Sequence, residues 1–300
     1  FDYYKPINMN KFEKFQSAIR FKHANKIAIN ISPANAFRSR CEFAYDKNNY
    51  VMHGINEKIY MTTFTEASLE IQNIMPILLN EINNNNEIKE KLFQINFRSN
   101  QLNKLMITMI YHKKIDESLI ALLNQISKNL DINIIVRSKN FVHGIRGLYL
   151  EDMLAYKNLK IFQTDNTFTQ SNKYLVDKMI SKVINFIDNQ RDLLELYCGI
   201  GTFTLPLSFK FNKILATESN RKSIKCLEKS LQENKISNVH NARLSSNEVS
   251  ELFDGRIFNR MNMKNINDYD FSHILLDPPR SGLTDDVISL ASNFENIIYV

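Results

Sequence analysis

The stretch that most constrains the fold is residues 192–207, which read D-L-L-E-L-Y-C-G-I-G-T-F-T-L-P-L. An apolar run leads through a turn with Gly199 and Gly201 into a second apolar segment, which predicts a strand, a tight turn and the start of a helix. Glycines let the backbone approach a ligand closely, and the first helical turn offers free N–H groups. Because the pair lacks the third glycine of the dinucleotide fingerprint, an ordinary strand-to-helix turn remains an alternative.

Two further strand ends are predicted to lie beside this turn. Nineteen residues after Gly199, Glu218 closes the apolar run I-L-A-T-E, a position where a carboxylate accepts hydrogen bonds from ribose hydroxyls. Residues 277–283, D-P-P-R-S-G-L, follow another apolar run and form a rigid loop, because proline fixes φ and lacks an N–H. Ligands bind at the carboxyl ends of strands in open α/β sheets, so the three ends predict a nucleoside cofactor site.

The first part of the chain, residues 1–165, predicts an α+β domain rich in antiparallel sheet. Pro76 should kink the second helix of this domain or end its first half. The predicted helices cover residues 10–21, 65–82 and 116–130. The predicted strands cover residues 26–31, 40–46, 92–97, 105–112 and 132–137. Residues 49–61 are predicted to continue as a hairpin through Gly54 to Lys58.

The second part, residues 166–300, predicts a doubly wound α/β domain of the Rossmann-like type. After an amphipathic helix at 171–187, strands alternate with helices, which implies right-handed crossovers and a parallel sheet. The predicted strands cover residues 193–197, 213–217, 238–242, 273–276 and 296–300. The predicted helices lie near residues 202–209, 220–234, 247–253 and 285–291. Because the chain lacks an initial Met and stops within an apolar run, we expect it to be a fragment. The apolar last strand would lack neighbours, so we expect the domain to be incomplete at its C-terminus.

Composition excludes several classes of protein. No run of eighteen apolar residues exists, so we predict no membrane span. Cys41, Cys198 and Cys226 are too scattered for a disulfide framework, and no C-x-x-C pair is present to hold a metal. We therefore expect a cytoplasmic protein without a metal.

The positive charge lies in the first domain. Residues 1–165 contain 22 Lys and Arg against 16 Asp and Glu, whereas residues 166–300 contain 16 of each, so the first part carries the whole net charge of +6. Between residues 15 and 43, basic residues interleave with aromatic ones: Arg20, Lys22, Lys26, Arg38 and Arg40 with Phe15, Phe21, Phe37 and Phe43. Cations for phosphates and rings for unstacked bases are typical of RNA binding. A solvated basic face with core phenylalanines would look similar.

Several motifs together resemble one family. L-L-E-L-Y-C-G-I-G-T-F, I-L-A-T-E, I-L-L-D-P-P-R-S-G-L, N-T-F-T-Q-S-N, K-L-F-Q-I-N-F and I-Y-H-K-K-I-D are similar to motifs of the S-adenosylmethionine-dependent RNA uracil-5-methyltransferases. The tRNA branch, which forms ribothymidine in the T loop, is the better match. Its ribosomal RNA relatives commonly carry a TRAM domain and an iron–sulfur cluster, and this chain shows neither. The resemblance implies S-adenosylmethionine as cofactor, tRNA as partner and a monomer.

The resemblance also assigns site residues. It implies cofactor contacts at Gln170, Tyr197, Thr202, Glu218 and Asp277. The sequence departs from the family pattern C-G-N-G-N-F, because Ile200 and Thr202 replace two side-chain amides, which puts the Thr202 contact in question.

The substrate contacts that we predict are Phe168, Arg280 and Glu42. The resemblance implies that Phe168 stacks on the target uracil and that Arg280 binds its carbonyl or phosphate. Glu42 lies among basic residues, where a carboxylate could orient RNA or a neighbouring arginine. Structural roles stay open for all the site residues: caps for Gln170, Glu218 and Asp277, core packing for Tyr197 and Phe168, and an ion pair for Arg280.

The resemblance places the catalytic pair after Val300, so no catalytic residue is predicted within the chain. Methylating C5 of uracil requires a cysteine thiolate that adds at C6 and a base that removes the C5 proton. In the family this cysteine belongs to an S-C-N-P motif that follows the strand at 296–300, and the base is a later Glu. We predict packing roles for the three cysteines present. The alternatives are a ribosomal RNA or base-amino methyltransferase and a binding module that does not catalyse.

Overall fold

The computed structural model describes residues 12–15, 17, 28–258 and 266–300. The helix predicted at 10–21 falls largely outside these residues, as do Arg20, Phe21, Lys22 and Lys26. Three sheets are present in the described part: one of seven strands, one of two and one of five.

The seven-stranded sheet is built by residues 40–144. Its strands are β1 (Arg40–Asp46), β2 (Asn49–His53), β3 (Lys58–Met61), β4 (Leu92–Ser99), β5 (Leu105–Tyr111), β6 (Asn133–Ser138) and β7 (Phe141–Gly144). They lie in the order β3-β2-β1-β4-β5-β6-β7, and every pair is antiparallel except β5–β6. A helix crosses between these two strands, as a parallel pair requires. The helices of this unit are α1 (Leu69–Asn83), α2 (Asn86–Lys89) and α3 (Glu117–Leu130).

Alternation along β1 and β4 turns apolar side chains to one face of the sheet and polar side chains to the other. Phe43, Tyr50 and Phe97 pack in the core with the helices, and the Tyr50 hydroxyl donates to the Met75 carbonyl at 2.9 Å. Phe43 is 2% exposed, so the core interpretation is correct for this ring and it offers no platform for a base. The opposite face carries Arg40 paired with Arg98, and Glu42 paired with Asn96.

Two local predictions in this unit were wrong. Residues 28–31 of the strand predicted at 26–31 form no strand, and Ile29 and Ile31 are exposed, so their apolar alternation buries nothing. Of the two outcomes expected at Pro76, a kink or an end of the helix, the end is wrong, because helix α1 continues through Pro76. Pro76 cannot donate to the carbonyl of Gln72, which instead accepts from the Thr63 hydroxyl at 3.4 Å.

The remaining strands lie after residue 147. A hairpin of β8 (Leu150–Leu154) and β9 (Leu159–Gln163) precedes the parallel sheet. That sheet is ordered β12-β11-β10-β13-β14, with β10 (Asp192–Leu196) at its centre. Its other strands are β11 (Lys213–Thr217), β12 (Val239–Ala242), β13 (Phe271–Leu276) and β14 (Asn296–Tyr299). Its helices are α4 (Val176–Asn185), α5 (Thr204–Leu207), α6 (Arg221–Glu233), α7 (Ser246–Phe253) and α8 (Asp285–Ala291).

Helices cover both faces of the parallel sheet. Helices α4, α5 and α6 pack on one face against Leu193, Ala216 and Leu275. Helices α7 and α8 pack on the other against Leu194 and Ile274. The sheet is therefore doubly wound, as predicted, and the chain order of its strands reverses beside β10. A crevice opens at the carboxyl ends of strands at such a reversal.

The helix predicted at 171–187 begins later, at Val176. Residues 171–173 instead bond to the chain just before β1: the Ser39 N–H donates to the Ser171 carbonyl at 2.8 Å, and the Lys173 N–H to the Phe37 carbonyl at 3.2 Å. These bonds to a distant segment replace the first helical turn. None of the described helices is long and apolar enough to span a membrane.

Replacing Pro76 by Ala tests why α1 stays intact. Pro76 is exposed, so the change removes no core contact and restores an N–H donor for the Gln72 carbonyl. We expect the free energy of unfolding, measured by urea denaturation, to rise by about 2 kcal/mol. The exposed neighbour Asn73→Ala is the control and should change it by less than about 0.5 kcal/mol. A less stable P76A variant would contradict this account.

Candidate functional site

The loop between β10 and α5 has a backbone that requires glycine. Gly199 has φ +57° and Gly201 φ +97°, both in the left-handed region. A Cβ on Gly201 would lie 2.6 Å from Leu227 Cδ1 in α6. Helix α6 therefore packs directly on the loop, and the backbone on the other side of the loop can approach a ligand. Tyr197 at the start of the loop also has a positive φ, 61°.

Glu218 is held against this loop. Its Oε2 accepts from the Gly199 N–H at 3.1 Å, and its Oε1 accepts from the Asn220 N–H at 2.7 Å and the Ser219 hydroxyl at 3.2 Å. A carboxylate has about four lone-pair sites, so three protein donors leave one for a ligand hydroxyl. The half-buried Glu218 is thus oriented before any ligand binds.

Gln170 and Asp277, both predicted cofactor contacts, bond directly to each other. The Gln170 Nε2 donates to the Asp277 Oδ2 at 3.0 Å, across 107 residues of sequence. Burial raises the pKa of Asp277 and the Gln170 donor lowers it. Helix α4 begins only at Val176, so Gln170 is not its cap.

Three other predicted residues share one cleft. Phe168, Glu42 and Glu218 line a cavity of about 490 Å³ between the polar face of the seven-stranded sheet and the parallel sheet. The Arg40 guanidinium carbon lies 5.7 Å from the centroid of the Phe168 ring, and Arg40 Nε lies 3.5 Å from Glu42 Oε1. Phe168 remains 59% exposed, so its ring is accessible for stacking.

The remaining predicted residues lie elsewhere. Thr202 lines a smaller cavity of about 50 Å³ together with Gln170. Ile200 is 3% exposed in the core, so the side chain that replaces the family amide contributes packing. Tyr197 packs partly against the core beside α7 and α8 and lines neither cavity. Arg280 is exposed and makes no hydrogen bond or ion pair with the part of the chain that the structure describes.

Sequence reasoning missed Glu195, which lies within the apolar run of β10. It is 1% exposed, and neither carboxylate oxygen has a hydrogen-bond partner in the described structure. Burial, with a smaller contribution from the nearby Asp277 carboxylate, raises its pKa to about 8, and the neighbouring Thr204 opposes the shift. The signal that could have identified Glu195 was an acidic residue within the apolar run of a predicted central strand.

Arg98 was also missed. It is 3% exposed and donates to four acceptors between Gln163 and Thr169, the stretch that leads to Phe168 and Gln170. Burial lowers its pKa to about 10, so the guanidinium stays charged at neutral pH. No periodicity distinguishes a buried arginine from an exposed one on the polar face of a strand, so the sequence carried no signal.

The doubly wound sheet, the glycine loop and the carboxylate at the neighbouring strand end define a Rossmann-like domain of the class that binds a nucleoside cofactor. Residues 3–300 match the family model described as tRNA (Uracil-5-)-methyltransferase. The chain belongs to this family. The family, the enzyme class and the S-adenosylmethionine cofactor predicted from the sequence are thereby confirmed.

Named relatives agree with the family match. The chain is 41% identical over 279 residues to the tRNA/tmRNA (uracil-C(5))-methyltransferase of Campylobacter lari, covering 90% of this chain and 80% of the relative. It is 38% identical over 297 residues to the Aliarcobacter butzleri protein of the same name, covering 94% and 79%.

A solved structure shares the fold. The chain resembles the crystal structure of Pyrococcus abyssi tRNA (uracil-54, C5)-methyltransferase in complex with S-adenosyl-L-homocysteine, with a TM-score of 0.73 over 97% of this chain and 73% of that chain. Because the two are 15% identical, this likeness concerns the fold alone, and it confirms the predicted α/β class.

Replacing Glu195 by Gln tests its buried carboxyl. Between its ordinary pKa of 4.5 and its folded value of about 8, the folded state holds a proton that the unfolded state has lost. This group therefore lowers stability as pH rises through that range, by at most about 1.4 kcal/mol per pH unit. Urea denaturation between pH 5 and 8 should show a flatter pH dependence for E195Q than for the wild type. The exposed control Glu57→Gln should keep the wild-type slope, and an unchanged slope in E195Q would refute this account.

Proposed function

We propose that this protein methylates C5 of a uracil in the T loop of tRNA, with S-adenosylmethionine as the methyl donor. The observation that carries the proposal is the cleft whose wall holds the exposed ring of Phe168 together with Glu218. An aromatic face stacks on a flipped base, and a strand-end carboxylate binds ribose hydroxyls. The names of the relatives support tRNA as the substrate class.

The residues present fit the cofactor. Glu218 keeps a free lone pair at the end of β11, and the backbone of Gly199 and Gly201 allows close approach. We assign the cofactor to these groups and to Gln170, Tyr197, Thr202 and Asp277. When bound there, it supplies an electrophilic methyl group. Gln170 and Asp277, already bonded to each other, would present an amide and a carboxylate in a fixed orientation.

The chemistry requires a thiolate that the three cysteines do not supply. A thiolate forms an S–C6 bond while the C5–C6 π pair becomes an enolate; after C5 gains the methyl group, a base takes the C5 proton and the S–C6 bond breaks to restore the double bond. Burial raises the pKa of Cys41 to about 12, that of Cys226 to about 11, and that of Cys198 strongly. As the family resemblance implies, we assign the nucleophile to a cysteine after Val300, in an S-C-N-P motif, and the base to a later glutamate.

The polar face of the seven-stranded sheet would bind the RNA. Arg40 supplies a cation in the cleft, and its Nε lies 3.5 Å from Glu42 Oε1. Arg280, exposed on the loop after β13, is free to reach the base or a phosphate. We also propose a monomer that acts in the cytoplasm without a metal. Free, buried cysteines are typical of a reducing compartment.

A methyl-transfer assay tests the proposal. Protein expressed from the whole gene would be given labelled S-adenosylmethionine with unmodified tRNA or with ribosomal RNA transcripts, and the product would be mapped by nucleoside analysis. We expect 5-methyluridine in the T loop of tRNA. Modification of ribosomal RNA alone would indicate a ribosomal RNA methyltransferase instead. Cofactor binding without methyl transfer to either RNA would indicate a non-catalytic module.

Phe168→Leu tests the stacking surface. Stacking of a base on an aromatic side chain contributes about 1–3 kcal/mol, so kcat/KM for tRNA should fall about 5- to 150-fold. The matched control is Phe186→Leu, since Phe186 is 70% exposed at the end of α4, outside the cleft. Equal losses in both variants would mean that the cleft does not bind the base.

Cys198→Ser tests the assignment of the nucleophile. Cys198 is buried beside the cofactor loop, so a serine should leave cofactor affinity within about tenfold of the wild type and methylation measurable. Affinity would be measured by isothermal titration with S-adenosylhomocysteine, and activity by the tRNA assay. Complete loss of methylation with retained cofactor binding would identify Cys198 as the nucleophile.

A further inference from the structure

One buried side chain holds the irregular stretch that joins the two predicted ligand sites. We call residues 163–170 the connecting segment. Arg98 reaches it from β4 and uses all three guanidinium nitrogens. The four acceptors are Gln163 Oε1 at 3.0 Å, the Asp165 carbonyl at 3.1 Å, the Thr167 carbonyl at 2.5 Å and Thr169 Oγ1 at 3.4 Å.

Asp165 connects the same segment to β6 of the seven-stranded sheet and to helix α6. It is 6% exposed, and its Oδ2 pairs with Arg137 Nη1 of β6 at 2.6 Å. Its Oδ1 lies 3.7 Å from Lys222 Nζ in the first turn of α6. The Lys222 N–H donates to Asn220 Oδ1, and the Asn220 N–H donates to Glu218 Oε1. The segment is thereby linked to the turn that carries the proposed ribose contact.

The anchors alternate with the proposed functional side chains. Arg98 holds the carbonyl of Thr167 and the hydroxyl of Thr169, the residues on either side of Phe168. Phe168 projects into the cleft, and Gln170, one residue beyond the last anchor, reaches Asp277. The backbone under Phe168 is therefore fixed on both sides by one guanidinium.

We propose that Arg98 is a positioning residue for methyl transfer: by fixing the connecting segment, it sets the base-stacking ring of Phe168 and the cofactor-contacting amide of Gln170 relative to each other. This inference rests on the proposed function. Loss of the anchor should act on the alignment of the two ligands, which governs kcat, and on cofactor affinity through Gln170. Affinity for tRNA, which depends largely on phosphate contacts, should change little.

Arg146 provides a matched control. It donates to the Ser127 hydroxyl at 3.0 Å, the Ser127 carbonyl at 2.5 Å and Asp131 Oδ1 at 2.5 Å. It too belongs to the seven-stranded unit and forms several bonds with main-chain and side-chain oxygens, but all these partners lie at the end of α3. Arg146→Met should therefore affect stability without affecting alignment.

The experiment compares Arg98→Met, Arg98→Lys and R146M in protein expressed from the whole gene. We expect R98M to lower kcat about 100-fold, because a displacement of about 1 Å at reacting groups has that effect. Its affinity for S-adenosylhomocysteine, measured by calorimetry, should fall about tenfold, and its KM for tRNA should stay within about threefold. R98K, with three donors on one nitrogen, should recover part of kcat. R146M should keep kcat and cofactor affinity within about twofold.

Two results would overturn the inference: R98M with wild-type kcat, or an R146M variant that loses as much kcat as R98M. If R98M does not fold, R98K and Thr169→Val decide, since the latter removes one acceptor only; wild-type kcat in both would sink the idea. If the wild type methylates no tRNA, the proposed function fails. In that case the affinities of R98K and R146M for S-adenosylhomocysteine still test whether Arg98 positions Gln170. Equal affinities in the two variants would reject this role of Arg98.

Discussion

The structure depends on one constraint: irregular backbone buried between two sheets must have its polar groups bonded, because water cannot reach them. Thr164 and Thr167 meet part of this need within the connecting segment, since the Thr167 hydroxyl accepts from the Thr164 N–H and donates to the Thr164 carbonyl, both at 3.1 Å. Arg98 donates hydrogen bonds to two further carbonyls of the segment, those of Asp165 and Thr167. A charged donor makes stronger bonds than a neutral one, so these bonds restrain the segment strongly. The exposed ring of Phe168 is therefore attached to rigid backbone.

Three acidic residues within or just after the strands of the parallel sheet differ in their hydrogen-bond partners. Glu218 has three donors on its carboxylate and is held as an oriented acceptor. Asp277 has one, from Gln170, which partly offsets the rise in pKa that burial causes. Glu195 has no partner in the described structure, and its pKa rises to about 8. At neutral pH the buried Glu195 carboxyl is therefore mostly protonated, which spares the apolar centre of the sheet a buried charge.

Much of the fold could be predicted because its signals are local. Apolar runs alternating with helices predict a parallel sheet whose strand ends point at one crevice, so the sequence placed the Gly199 turn and Glu218 near each other, although not their direct hydrogen bond. The motifs shared with the family supplied Gln170 and Asp277 separately, but their direct bond depends on where 107 intervening residues place them. Arg98 could not be recognised, since its acceptors come 65 to 71 residues later. Helix α1 does not end at Pro76. The Gln72 carbonyl, which proline leaves without a helical donor, accepts a hydrogen bond from the Thr63 hydroxyl instead.

A shared support for two ligands has a physical advantage over two independent loops. Transfer of a small group requires the reacting atoms to be aligned within a fraction of an ångström, and each independently mobile element adds freedom that must be lost at the transition state. In this chain the ring proposed for the base and the amide proposed for the cofactor are two residues apart on one bonded segment. That segment is anchored to β4 through Arg98 and to β6 and α6 through Asp165. Their relative position is therefore determined by the fold itself before either ligand binds.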